Sequence, residues 1–145
     1  MFKLISIDPG KCKCGLVLAD LHQKRVDRAV VLNTALLPQY LKTINSVENI
    51  SKIIIGNGTT SKEIRKKLDL FKGKMITFEE KNTTYRAKAR YFELFPISGL
   101  QFLIPREVFI LNKNLDAISA LIILEDYFKI KFNLDHNLDF KTWLK

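Results

Sequence analysis

The chain has 145 residues, 47% of them hydrophobic and 27% charged, which excludes a disordered protein and allows a sizeable core. Twenty-four Lys and Arg against fifteen Asp and Glu give a net charge of +9, a balance suited to a partner rich in phosphate; a generically basic soluble protein is the plainer alternative. Apolar runs are short and no signal peptide or membrane span is readable, so no membrane partner and a cytoplasmic setting are expected.

Neither a repeat nor a Pro/Gly/Ser-rich linker interrupts the chain, so residues 1–145 are expected to form a single domain, with a loose tail from about 130 to 145. "FKLISID" (2–8) is an apolar strand ending in an acid, followed by the Pro9-Gly10 turn. "GLVLAD" (15–20) and "RVDRAVVLN" (25–33) continue it as a meander. Residues 36–47 place Leu37, Leu41, Ile44 and Val47 on one helical face. "KIIIG" (52–56) has the uninterrupted apolar run of a strand covered on both sides.

A helix over 59–71 follows, with Ile64, Leu68 and Phe71 inward and Lys62, Lys66 and Lys67 outward, and then a strand over 74–80. Residues 82–95 form a helix with Ala87, Tyr91, Leu94 and Phe95 as its core stripe and Arg86, Arg90 and Glu93 as a polar one. Pro96, Gly99 and Pro105 break any period across 96–114. The helix over 114–128 is apolar nearly all round and should be well buried. This order predicts an α/β fold: a mixed five-stranded sheet, three antiparallel strands and then parallel strands with crossover helices, flanked by helices.

In such a sheet, ligands bind beyond the carboxyl ends of parallel strands. Asp8 ends the first strand, Gly56-Asn57-Gly58 the fourth and Glu79-Glu80 the fifth, while Asp116 lies in the first turn of the buried helix. Singly, each acid has a plain explanation: Asp before Pro-Gly starts turns, and Asp in a first helical turn suits the helix dipole. Jointly, carboxylates at one edge of a basic protein imply cations, because bare they would repel phosphate and one another. Two Mg²⁺ ions held by such a cluster can activate water and neutralise a phosphodiester.

"ISIDPGKCKCGLVLAD", "TFEEKNTTYRAKARYFE" and "LDAISALIILEDYF" together resemble the YqgF-type proteins of the RuvC/RNase H-like superfamily, over about residues 2–130. The resemblance implies an RNase H-like nuclease domain that cuts structured nucleic acid, either Holliday-junction DNA or precursor 16S rRNA. It implies Asp8, Glu80 and Asp116 as catalytic residues and as ligands of two Mg²⁺ or Mn²⁺ ions. Lys11, Lys13, Lys62, Lys81, Arg86 and Arg90 are then candidates for contacts to the nucleic-acid backbone. Resolving a junction needs two sites acting together, hence a homodimer. The chain departs from the family pattern at Glu79, Lys81 and the "GNGTTSK" loop, which bears most on substrate choice. Asn82, Thr83 and Thr84 are expected to cap the helix that follows.

Two other readings compete: a module of the same fold that binds nucleic acid without cutting it, and an actin-like nucleotide-binding phosphotransferase. The second is disfavoured because it needs two such domains, and no P-loop pattern is present. Cys12 and Cys14 lack the second pair, or the well-spaced histidines, of a zinc site, and a structural or incidental role is expected for them.

Overall fold

The structure, a computed structural model, describes residues 2–110, 115–135, 138 and 141–143. Strands β1 (Lys3–Asp8), β2 (Lys13–Asp20) and β3 (Arg25–Asn33) form the antiparallel meander. Helix α1 (Leu37–Val47) leads to β4 (Ile50–Gly56), parallel to β1, and α2 (Ser61–Lys67) leads to β5 (Met75–Phe78), parallel to β4. The order β5-β4-β1-β2-β3 therefore sets the carboxyl ends of β1, β4 and β5 side by side. Helices α3 (Thr83–Leu94), α4 (Arg106–Ile110) and α5 (Asp116–Phe128) complete the helical set.

Alternation along the strands divides the core between the two faces of the sheet. Ile5, Ile7, Leu16, Leu18, Ile53 and Ile55 point to one face and pack with Leu37, Leu41 and Ile44 of α1 and Ile64 of α2. Leu4, Val17, Ala19 and Ile54 point to the other and pack with Ala117, Ala120, Leu121 and Leu124 of α5. Ala87 of α3 meets Ile118 and Ile122 on the outer side of α5. Helix α5 is thus covered by the sheet on one side and α3 on the other, which explains why it is apolar all round.

Several expectations need correction. The sheet has seven strands, because β6 (Asn133–Leu134) and β7 (Lys141–Trp143) pair parallel to β3 where a loose tail was expected. Strands of two and three residues carry no readable period. β6 is held instead by buried Phe132 beside it, by the Asn133 amide donating to the Lys24 carbonyl, and by the Asp135 amide donating to that of Val26. Residues 136, 137, 139, 140, 144 and 145 of that tail lie outside the described residues.

The helix expected over 59–71 gives way after Lys67 to a tighter 3₁₀ stretch over Asp69–Lys74, which turns Phe71 onto the same core as Ile64 and Leu68. Val47 ends α1 81% exposed and Phe95 lies 39% exposed just past α3, so neither joins the core. The irregular stretch holds a 3₁₀ turn at Gly99–Leu103 as well as α4, and residues 111–114 lie outside the described residues.

Candidate functional site: three carboxylates over two glycines

Asp8 is the last residue of β1, on the face that carries α5. Its neighbour across the antiparallel pair is Gly15 of β2. On the other side, Ser6 and Ile7 pair with Ile54 and Ile55, so Gly56 at the end of β4 follows beside Asp8. Both flanking positions are glycine for a steric reason. A Cβ on Gly15 would lie 1.9 Å from the Asp116 carbonyl oxygen and 2.7 Å from the Ala117 nitrogen. A Cβ on Gly56 would lie 2.9 Å from the Glu80 carboxyl group. The missing side chains let the first turn of α5 rest on β2 and the Glu80 carboxylate rest on β4, with Asp8 between them.

Crowding three acids in a partly buried place has an electrostatic consequence. The Asp8 carboxyl is pushed up to about 7, first by burial and then by the charges of Glu80 and Asp116. Glu80 and Asp116 are also raised by burial; the Thr83 hydroxyl offsets part of this for Glu80, and the Lys13 ammonium part of it for Asp116. Thr83 is buried, and its hydroxyl donates to Glu80 Oε2 at 3.4 Å. This corrects the capping expectation: Asn82 precedes α3 in the left-handed region (φ 53°) without a side-chain cap, while Thr83 steadies an acid.

The donors are all carboxylate oxygens, which suits a hard divalent cation such as Mg²⁺ or Mn²⁺. Among the described residues, however, no three His, Cys, Asp or Glu side chains stand close enough together to hold a metal ion as positioned. Closing around an ion requires these side chains to turn toward one another. The strand ends and the first turn of α5 that carry them are already adjacent.

The expected basic contacts divide into two groups. Lys11 lies exposed on the loop from Asp8 to β2 and Lys13 exposed as the first residue of β2; the loop is anchored by the Thr34 hydroxyl donating to the Gly10 carbonyl (2.8 Å) and the Thr34 amide to that of Cys12 (2.9 Å). Lys62 and Lys81 are exposed after β4 and β5. Arg86 and Arg90, expected to reach phosphate, are turned to the carboxyl end of α5. Arg86 makes a two-pronged pair with Asp126. Arg90 is 11% exposed and bonds Glu125, Glu93 and the Phe132 carbonyl. They join α3 to α5 because the polar stripe of α3 faces the only acids of the buried helix outside its first turn.

Cys12 and Cys14 do not share a face: Cys12 is exposed, and Cys14 is buried with its thiol against the Leu32 carbonyl (3.8 Å). Burial pushes the Cys14 thiol up to about 12, so it offers no thiolate ligand near neutral pH. The sequence reading gave Gly15 no role. Its signal was available, a glycine near the start of the strand that pairs with Asp8, but only the register shows what lies above it.

No family model matches the chain, and no curated protein matches it. Among solved structures, the chain is similar to T. thermophilus RuvC in complex with Holliday junction substrate, at 9% sequence identity and a TM-score of 0.46, with 89% of this chain and 96% of that chain covered.

Proposed function

We propose that the protein is a metal-dependent endonuclease of RNase H-like fold that hydrolyses phosphodiester bonds in structured nucleic acid. The observation that carries this reading is the meeting of Asp8, Glu80 and Asp116, from three distant parts of a chain with net charge +9, at the carboxyl edge of adjacent parallel strands. Mutual repulsion makes the trio costly on its own, and a basic protein gains nothing from acids that repel its phosphate partner. Cations resolve both problems.

Two Mg²⁺ or Mn²⁺ ions, when bound, would supply an activated water, a stabilised leaving oxygen and neutralised phosphate charge. Asp8, Glu80 and Asp116 would hold them, with Asp8 central. Gly15 and Gly56 keep the space that lets the other two acids approach. Thr83 orients Glu80, and Lys13 sits where it favours the charged form of Asp116. Lys11, Lys13, Lys62 and Lys81 receive the phosphates, as point charges without the fork that an arginine would provide. The resemblance to YqgF-type proteins narrows the substrates to branched DNA and precursor 16S rRNA.

One observation favours a second reading, a module that binds nucleic acid without cutting it: the acids are not closed into a ligand set as they stand. A single experiment separates the two. A four-way DNA junction and a 16S precursor RNA are incubated with the protein in Mg²⁺ or Mn²⁺, beside Asp8→Asn. Cleavage of either substrate by the wild type and none by Asp8→Asn is the expected result. Equal cutting by both proteins removes the proposed site, and binding without cutting in either metal favours the module.

A further inference from the structure

We propose that the outward side of α2 and the 3₁₀ stretch after it form a second phosphate-binding surface, which takes the sugar-phosphate backbone of the nucleic acid engaged at the carboxylates. The proposal rests on the nucleic-acid reading above and extends it from Lys62, already among the phosphate contacts, to cations further along the chain. Between residues 62 and 74 the chain carries six cations, Lys62, Arg65, Lys66, Lys67, Lys72 and Lys74, against Glu63 and Asp69, a net +4 out of the +9 of the whole chain.

Several of the molecule's other cations are taken up in ion pairs. Lys3 pairs with Asp20 and Asp27, Arg25 with Asp27 and Asp135, Arg86 with Asp126, and Arg90 with Glu125. Among the described residues, none of the six is in an ion pair. Nor can this side turn inward, because Ile64, Leu68 and Phe71 fix the opposite side of the stretch in the core.

One of the cations is also held in place. The Arg65 guanidinium donates to Thr77 Oγ1 of edge strand β5 at 2.7 Å. Arg65, Lys66 and Lys72, with Asp69 and Met75, line a shallow cavity of about 220 Å³, three cations to one acid. Helix α2 starts five residues after Gly56, the strand end on which Glu80 rests, so a backbone leaving the carboxylates can continue onto it. The stretch covers at most about 22 Å, roughly six phosphates along one strand of a duplex.

The test is binding, read separately from cleavage. Affinity for a four-way DNA junction is measured from 50 to 300 mM KCl for Asp8→Asn protein, alone and combined with Arg65→Ala/Lys66→Ala/Lys72→Ala. Asp8→Asn combined with Arg28→Ala, which removes an exposed charge on β3 across the sheet, is the control. The triple change is expected to weaken binding at least tenfold at 150 mM and to lower the slope of log affinity against log salt by about 3, while the Arg28 change leaves the slope as it was.

An unchanged slope in the triple variant overturns the α2 surface and leaves the nuclease reading standing. An equal loss per charge from Arg28→Ala also overturns it, in favour of diffuse attraction. If the parent binds neither the junction nor a 16S precursor RNA measured beside it, both readings fall, and capture by phosphatidylserine vesicles would then assign the charges to a membrane. Thermal melts check folding, and Lys66→Gln/Lys72→Gln, expected to lower the slope by about 2, replaces the triple variant if that one does not fold.

Discussion

Asp8 lies between two glycines and within reach of two other acids, so its charge state is coupled to folding. Its ordinary value of 3.8 becomes about 7 in the folded chain. The native state then binds the proton more tightly than the unfolded state, and stability falls as pH rises from about 4 to 7. At 1.36 kcal/mol per pH unit, the ionised carboxylate costs up to about 4 kcal/mol above pH 7. In EDTA, Asp8→Asn is expected to melt at a higher temperature than wild type at pH 8 and at a similar temperature at pH 4. Melting curves at the two pH values check this, and an identical offset at both would remove the coupling. The glycines give a second contrast. Gly15→Ala drives a Cβ into the backbone of Asp116, which cannot swing aside, and should cost about 3 kcal/mol or more of stability. At Gly56→Ala the nearest atoms are the end of a flexible glutamate, so it should cost under about 1.5 kcal/mol yet abolish cleavage by displacing Glu80. Denaturant unfolding beside a cleavage assay separates the two effects.

At the scale of elements, α3 and α5 are joined by a buried polar knot. Glu125 is 4% exposed and accepts from Arg90, Lys131 and the Phe132 amide. Arg90→Ala leaves that carboxylate with its weaker partners and should cost about 3 kcal/mol in urea unfolding without changing nucleic-acid affinity. A loss of affinity with unchanged stability would return Arg90 to the phosphate contacts. The sequence carried the elements well where period and length were strong: the meander, the apolar run of β4 and the all-round apolar α5. The placement of Asp8, Glu80 and Asp116 at one edge also followed from strand order. Less was legible where partners lie far apart in sequence. Arg86 and Arg90 formed a polar stripe that reads the same whether it faces phosphate or Asp126 and Glu125. Strands β6 and β7 are too short to show alternation. The role of Gly15 depends on a register that places α5 above it, which periodicity cannot supply.

Across the whole molecule, a chain of net charge +9 brings Asp8, Glu80 and Asp116 together at one strand edge, where burial raises all three carboxyls. On the proposed nuclease reading, divalent cations would act as a stabilising ligand as well as a reactant. A ligand that binds only the folded state adds about 2.7 kcal/mol at one hundred times its dissociation constant. For a chain of this size, that corresponds to a rise in melting temperature of roughly 5–10 °C. At pH 8, where Asp8 is ionised, saturating Mg²⁺ or Mn²⁺ should produce such a rise in wild type. Asp8→Asn, which lacks the carboxylate proposed as the central ligand, should show little of it. The two effects oppose each other in a useful way: the variant starts more stable in EDTA, and the wild type catches up as metal is added. Protons and metal compete for the same oxygens, so the metal-induced rise should shrink as pH falls through about 7. Scanning calorimetry with and without Mn²⁺ at pH 5 and pH 8 reads both effects together. A metal-induced shift that is equal in the two proteins, or independent of pH, would place any bound ion away from Asp8, Glu80 and Asp116.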